Sequence, residues 1–169
     1  MEIHLKIKID LEDFIKMGKF DLLKIGMTKS EILDIFPKPE DWAVAKNYTK
    51  SNIWIYGNFE FHFVEDELYM IFNDYIDTMD GGKSLELKKW IFTNERSKTL
   101  IEIMQIFNKD CVDFEKVGNS LGQVIIRVME SDVCLTFSLK DSFDNPTTIK
   151  KEINDFELIA IHKTARPGL

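Results

Sequence analysis

Cysteine is nearly absent from this chain, and lysine and arginine are missing altogether from a long internal stretch. Cys111 and Cys134 are the only two thiols in 169 residues and form no Cys-x-x-Cys unit, so no disulfide framework is encoded. Both are expected to remain reduced, as strand or core residues. The start, Met1-Glu2-Ile3-His4-Leu5-Lys6, alternates charged with apolar residues and offers no apolar signal core. No apolar run approaches the roughly 18 residues of a membrane span, so a cytoplasmic protein with no membrane partner is expected. A basic stripe is lacking too. Lys88-Lys89 and Lys150-Lys151 are isolated pairs in a chain of formal charge −7, which leaves out the phosphate-neutralising contacts that drive nucleic-acid binding. No direct nucleic-acid partner is expected.

Catalytic and metal signatures are equally scarce. His4, His62 and His162 are scattered, with no HExxH and no Cys/His spacing suited to zinc. The carboxylates after Val64 do not follow the D-x-[DN]-x-[DN]-G pattern of a calcium loop. Gly81-Gly82-Lys83-Ser84 fails as a phosphate loop, because the first glycine of that motif would fall at Asp77. No cofactor and no metal are expected, and an enzyme is not the leading expectation.

What is present is a concentration of acid. From Ser51 to Gly82 the chain carries Glu60, Glu65, Asp66, Glu67, Asp74, Asp77 and Asp80 with no balancing cation, and the remaining acids match the 22 lysines and arginines elsewhere. A single-sign field of this kind speeds encounters with a cationic partner. Carboxylates also solubilise turns and edge strands, which is the structural reading of the same window.

The apolar pattern predicts an α+β fold of antiparallel β-meanders, each preceded by a capped helix. Thr28-Lys-Ser-Glu-Ile-Leu-Asp-Ile-Phe36 and Thr99-Leu-Ile-Glu-Ile-Met-Gln-Ile-Phe107 share the form T-x-x-E-I-x-x-I-F, a capping box opening an apolar stripe. This suggests a diverged tandem repeat of helix plus strands, residues 1–80 and 81–169, with Gly81-Gly82 at the joint; one continuous domain is the alternative. An earlier helix is expected over 11–17, ending at Gly18. Strands are expected at 53–56, 59–64 and 68–73, then at 111–116, 124–128, 133–139 and 156–162, with a short strand contributed by Leu85, Leu87 and 90–92.

Tight turns at Gly57-Asn58 and Glu65-Asp66 would place Trp54, Tyr56, Phe59, Phe61, Phe63, Leu68, Met70 and Phe72 on one face. Ile53, Ile55, Glu60, His62, Tyr69 and Ile71 would share the other. In the second half the inner set is Val124, Ile126, Val128, Val133, Leu135 and Phe137, opposite Arg127, Cys134, Thr136 and Ser138. Pro146 is read as opening a turn, and 165–169 as a tail.

The segment Ile25-Gly-Met-Thr-Lys-Ser-Glu-Ile-Leu-Asp-Ile-Phe-Pro-Lys-Pro39 resembles the G-M-[ST]-x-x-E-[VI]-x-x-[LI]-[LF]-G-x-P motif of many small bacterial proteins. These include the small lipoprotein of outer-membrane assembly machines, tandem β-lactamase inhibitor proteins, and cytosolic proteins resembling immunity partners of secreted toxins. Gly26, Met27, Thr28, Glu31 and Pro39 match, while Pro37 stands where glycine is usual. The resemblance implies a binding protein rather than an enzyme.

Together these features lead to an expected inhibitor or immunity-type protein that occludes a basic partner, plausibly a toxin domain. The contacts would come from Glu60, His62, Glu65, Asp66, Glu67, Tyr69, Asp74, Asp77 and Asp80. The alternatives are a small-ligand module or enzyme with a cleft between the halves, and a self-associating protein using the 156–162 strand. Oligomeric state is not encoded legibly.

Overall fold

A computed structural model describes residues 6–93, 96, 98–139 and 156–165 of the chain. The first elements are β1 (Ile7–Asp10), α1 (Leu11–Met17), α2 (Lys29–Ile35), β2 (Asp41–Trp42), β3 (Ile53–Tyr56), β4 (Phe59–Val64) and β5 (Glu67–Asn73). They are followed by β6 (Leu85–Lys88), α3 (Leu100–Lys109), β7 (Phe114–Gly118), β8 (Val124–Val128), β9 (Val133–Leu139) and β10 (Phe156–Thr164). The α+β expectation holds. Pro146 and residues 166–169 lie outside the described residues, as does His4.

Both capping boxes form, with nearly the same geometry. Thr28 N–H donates to Glu31 Oε2 at 2.7 Å and Glu31 N–H donates to Thr28 Oγ1 at 3.3 Å. The corresponding bonds between Thr99 and Glu102 are 2.8 and 3.3 Å. Each box satisfies backbone donors that the first helical turn would otherwise leave unpaired.

Eight strands build one antiparallel sheet in the order β2-β3-β4-β5-β10-β9-β8-β7. It reads as two meanders, β2 to β5 and β7 to β10, joined through their last strands. β10 is therefore an interior strand, hydrogen-bonded to β5 on one side and β9 on the other. Over 156–162, the strand expected to serve self-association, Ile161 and His162 are covered by β5, and Glu157 and Leu158 by the Thr99 bridge and the Lys98 bond, which leaves Ile159 and Ala160 unpaired on that side among the described residues. β6 leaves the main sheet and pairs in parallel with β1, Ile7 facing Leu85, while 90–92 forms no strand.

The two meanders meet their helices in the same way. Leu68 N–H donates to Met27 O and Leu158 N–H to Lys98 O, both at 2.8 Å, so each final strand is fastened to the residue just before a capping threonine. Isolated bridges Thr28–Glu67 and Thr99–Glu157 lie beside these bonds. The residue after each leucine is bulged: Tyr69 between Leu68 and Met70, and Ile159 between Leu158 and Ala160. The shift that carries Leu68 onto Leu158 also exchanges the seam pairs Ile71–Lys163 and Asn73–Ile161, and returns Phe72–His162 to itself. The seam thus has a local twofold relation centred on Phe72 and His162.

The bulge corrects the expected facing of β5. The first hairpin keeps its register, Tyr56 opposite Phe59 and Trp54 opposite Phe61, and Phe63 faces Leu68 across the second turn. Then Tyr69 is left unpaired, and the parity of every later residue changes. Ile71 and Asn73 are buried at 2% and 1%, while Met70 and Phe72 turn outward and stay half-exposed.

The helices share one face of the sheet. Below the first meander the packing is aromatic, Phe20 lying 5.3 Å from Phe59 and 5.7 Å from Phe61, and Phe36 lying 5.9 Å from Phe61. Below the second it is mostly aliphatic, Ile126, Val128, Val133 and Leu135 joining Phe137 and the helical Leu100, Ile103 and Phe107. α1 serves both halves. Its Phe14 packs on Phe20, while Ser131 Oγ donates to Ile15 O at 2.6 Å and Lys163 Nζ donates to Gly18 O at 3.0 Å.

Candidate functional site

The acidic window divides into three places. At one end of β4 and β5 the turn residues Glu65 and Asp66 both adopt positive φ, 51° and 69°, the backbone of a tight hairpin that usually takes asparagine and glycine. Their strain is offset by α2. Lys29 N–H donates to Asp66 O at 3.0 Å and Lys29 Nζ reaches Asp66 Oδ1 at 2.6 Å, with the ammonium 5.3 Å from the Phe63 ring. The Asp66 carboxylate is thus already bound to a cation that sequence distance concealed. Glu67 is exposed beside it and bridges Thr28.

At the far end of β5, about 20 Å away for a strand of this length, lie Asp74, Asp77 and Asp80, all exposed. Their segment is clamped by two asparagines that the pattern of charges did not single out. Asn73 Nδ2 donates to Asn58 O and Asn58 Oδ1 at 2.8 and 2.9 Å, and Asn73 Oδ1 accepts from Tyr75 N–H at 3.0 Å. Asn58 Nδ2 in turn donates to Thr78 O, and Asn58 Oδ1 accepts from Asp80 N–H, both at 2.9 Å. A strand-end asparagine following an apolar run was the available signal. Gly57, with φ of 61°, opens the adjoining turn, and a side chain there would meet Asp80 O.

Between these ends, on the face away from the helices, Glu60, His62 and Tyr69 do come together. His62 Nε2 lies 2.7 Å from Glu60 Oε2, and its ring sits edge-on to Tyr69 at 6.1 Å and to Phe72 at 6.2 Å. Ile53 and Ile55 are half-exposed on the neighbouring strand, and Met70 on the same one as Tyr69. The result is an apolar, aromatic surface with a carboxylate inside it.

Searches of protein families, curated proteins and solved structures find no match to this chain. The functional reading therefore stands on geometry.

This face continues across the seam into Thr136, Ala160, His162, Cys134 and Arg127. Burial holds the His162 imidazole below its ordinary range, so it is neutral at physiological pH. Cys134 lies opposite His162 in register. Burial pushes the Cys134 thiol up, away from the thiolate form that nucleophilic attack requires. Cys111 is exposed at the exit of α3 rather than on a strand, because β7 begins only at Phe114. Arg127 is engaged by Asp132 and, at 3.0 Å, by Glu115. Among the described residues no group of three or more His, Cys, Asp or Glu side chains is placed to hold a metal, and no helix is long and apolar enough to cross a membrane.

A shallow cavity of about 510 Å³ opens on this face at the seam, lined by Met70, Phe72, Asp74, Gln123, Thr136, Ile159, Ala160 and His162. Only Asp74 of these belongs to the acidic set named from sequence.

Proposed function

We propose that this is a non-enzymatic inhibitor or immunity-type protein of the cytoplasm that binds a basic protein partner, such as a toxin domain, with the face of its sheet opposite the helices. The observation that carries the reading is the contrast between the two faces. One is consumed by three helices. The other presents half-exposed Ile53, Ile55, Met70 and Phe72 with Glu60 among them and Asp74 at its border, an apolar centre with an acidic rim.

Its size is adequate. Strands about 4.8 Å apart and roughly 20 Å long make an eight-stranded face of about 700 Å², close to the 800 Å² that each partner buries in a stable complex. Glu60, Glu67, Asp74, Asp77 and Asp80 would attract a cationic surface, after which the aromatic centre would be buried. The Asp66 carboxylate contributes little, being paired with Lys29. The corresponding contacts at both helix caps and both bulges support descent of the two halves from one duplicated helix-and-meander unit.

Affinity capture from the source cells, with the retained protein identified by mass spectrometry, tests this. The reading requires a protein of basic isoelectric point, retained at about 50 mM salt, shed at about 500 mM as screening shortens the field, and lost when Glu60→Lys and Asp74→Lys are combined. An acidic or salt-insensitive partner, or retention undiminished by the charge reversal, refutes it. The seam cavity favours a second reading, a small-ligand module whose site lies between the halves. That reading requires a ligand bound by the purified protein with no protein partner engaged.

A further inference from the structure

We propose that the seam cavity receives an arginine side chain of the partner, with Asp74 as counter-ion and Phe72 as stacking surface. This rests on the reading of the open face as a protein-binding surface.

The cavity has a cause in the topology. β10 runs from Phe156 to Thr164, but only Ile161 to Thr164 pair with β5, which ends at Asn73. The next attachment on that side of β10 is Leu158 N–H to Lys98 O. Between the two attachments, at the Ile159 bulge and Ala160, the sheet has a notch. Ala160, a small residue, and Thr136 behind it give the notch its depth, and Met70, Phe72 and Ile159 supply apolar walls.

The polar groups select a cation. Asp74 is exposed at the rim, and the Asn73–Asn58 hydrogen bonds fix where β5 releases it. Thr136 adds an acceptor, and so does the remaining lone pair of Gln123 Oε1, which already accepts from Asn119 Nδ2 at 2.7 Å. Burial disfavours the charged form of His162, and among the described residues no lysine or arginine lines the space; Lys98 sends its side chain to a separate groove beside Glu102 and Gln105. An anion would face Asp74 with no donor of positive charge among the described residues, and a purely apolar anchor would leave that carboxylate desolvated without compensation. A guanidinium suits every element: a planar cation stacks on a phenyl ring and forms directed bonds with a carboxylate and with neutral acceptors. A compact ammonium would use Asp74 but not the ring or the fork of acceptors.

The test is a titration of the isotope-labelled full chain, followed by amide NMR shifts, with N-acetyl-arginine methylamide, its uncharged isostere N-acetyl-citrulline methylamide, and N-acetyl-lysine methylamide. The expected result is saturable shifts at Asp74, Gln123, Thr136 and His162 with the arginine probe. Binding should be about tenfold weaker with citrulline or with Asp74→Asn, the scale of one charge-assisted hydrogen bond, and intermediate with lysine. Equal responses to arginine and citrulline, shifts centred elsewhere, or an Asp74→Asn variant that binds the arginine probe as well as the parent would overturn the assignment. Asp74 is exposed, so the variant is expected to fold, and its dispersed spectrum checks this directly. Should the captured basic protein bind Asp74→Asn as tightly as the parent, the cavity assignment falls while the open-face reading stands. Should the arginine probe bind as described while no basic protein is captured, the cavity chemistry stands and the open-face reading falls.

Discussion

The two meanders occupy corresponding places in one sheet but are filled differently. Under α2 the packing is Trp54, Tyr56, Phe59, Phe61 and Phe63; under α3 it is chiefly Ile126, Val128, Val133 and Leu135 with Phe137, and half-buried Phe114 and Phe156 at the margin. The two halves share a few polar and backbone contacts: the threonine–glutamate caps, the strand-to-helix bonds of Leu68 and Leu158, and the bulges at Tyr69 and Ile159. Two cores of different composition can therefore sit under similar registers, because parity is set by turns and bulges rather than by which apolar residue fills a position. Within the first meander, the hairpin at Glu65-Asp66 is fastened to its helix by a salt bridge from Lys29.

The largest break in this comparison should come from the aromatic side. Phe61 is fully buried against Phe20, Phe36 and Tyr56, so Phe61→Ala should cost about 4 kcal/mol, against about 2.5 for Val133→Ala in the aliphatic half. Denaturant midpoints at constant m-value will show it; equal costs would mean that the two cores are mechanically equivalent. The caps should match instead. Thr28→Ala and Thr99→Ala should each lose about 1 kcal/mol, and a wide disparity in calorimetric stability would break the correspondence of the helices.

Smaller effects separate strain from pairing at the locked hairpin. Glu65→Gly should stabilise by about 0.5 to 1 kcal/mol by relieving a positive φ. Asp66→Asn should cost only about 0.5 kcal/mol, because the carboxylate is 70% exposed and its pairing with Lys29 is screened. If both changes destabilise alike in urea titrations, Lys29 is not what compensates the turn.

The smallest is a pH slope specific to the seam. The unfolded His162 takes up its proton as pH falls through about 6.5, whereas burial keeps the folded imidazole neutral to lower pH. Stability should then decline on acidification from about pH 6.5, and His162→Gln should flatten that decline. The caps report in another window: hydrogen bonds from Thr28 and Thr99 hold Glu31 and Glu102 below their usual range, so that contribution is lost only below about pH 4.5.

Local chemistry made much of this fold legible. The T-x-x-E boxes, Gly18 closing α1 and the two-residue turns each act over a few residues, and they placed α1, α2, α3 and the first hairpin. What sequence concealed was long-range or parity-changing. Leu68 to Phe72 is apolar at every position but for the Tyr69 hydroxyl, so period-two alternation has nothing with which to detect a bulge and points Met70 and Phe72 inward. Lys29 and Asp66 are paired across the fold, so a window counted for lysine appeared unbalanced at a carboxylate that is neutralised. Nothing local could place β10 between β5 and β9, and with it the cavity. Of the nine residues expected to touch a partner, Glu60, His62 and Tyr69 share one face, Asp74 borders the seam cavity, and the remaining five lie at the two strand ends.

The open face is most directly tested by placing a photo-crosslinking residue at Thr136, at the centre of that face, and separately at Gln105 on the outer side of α3, in the source cells. The account predicts a crosslink from Thr136 to a basic protein that disappears with Asp74→Lys, and none from Gln105. A crosslink from Gln105 alone, or one from Thr136 that persists through the charge reversal, would contradict it.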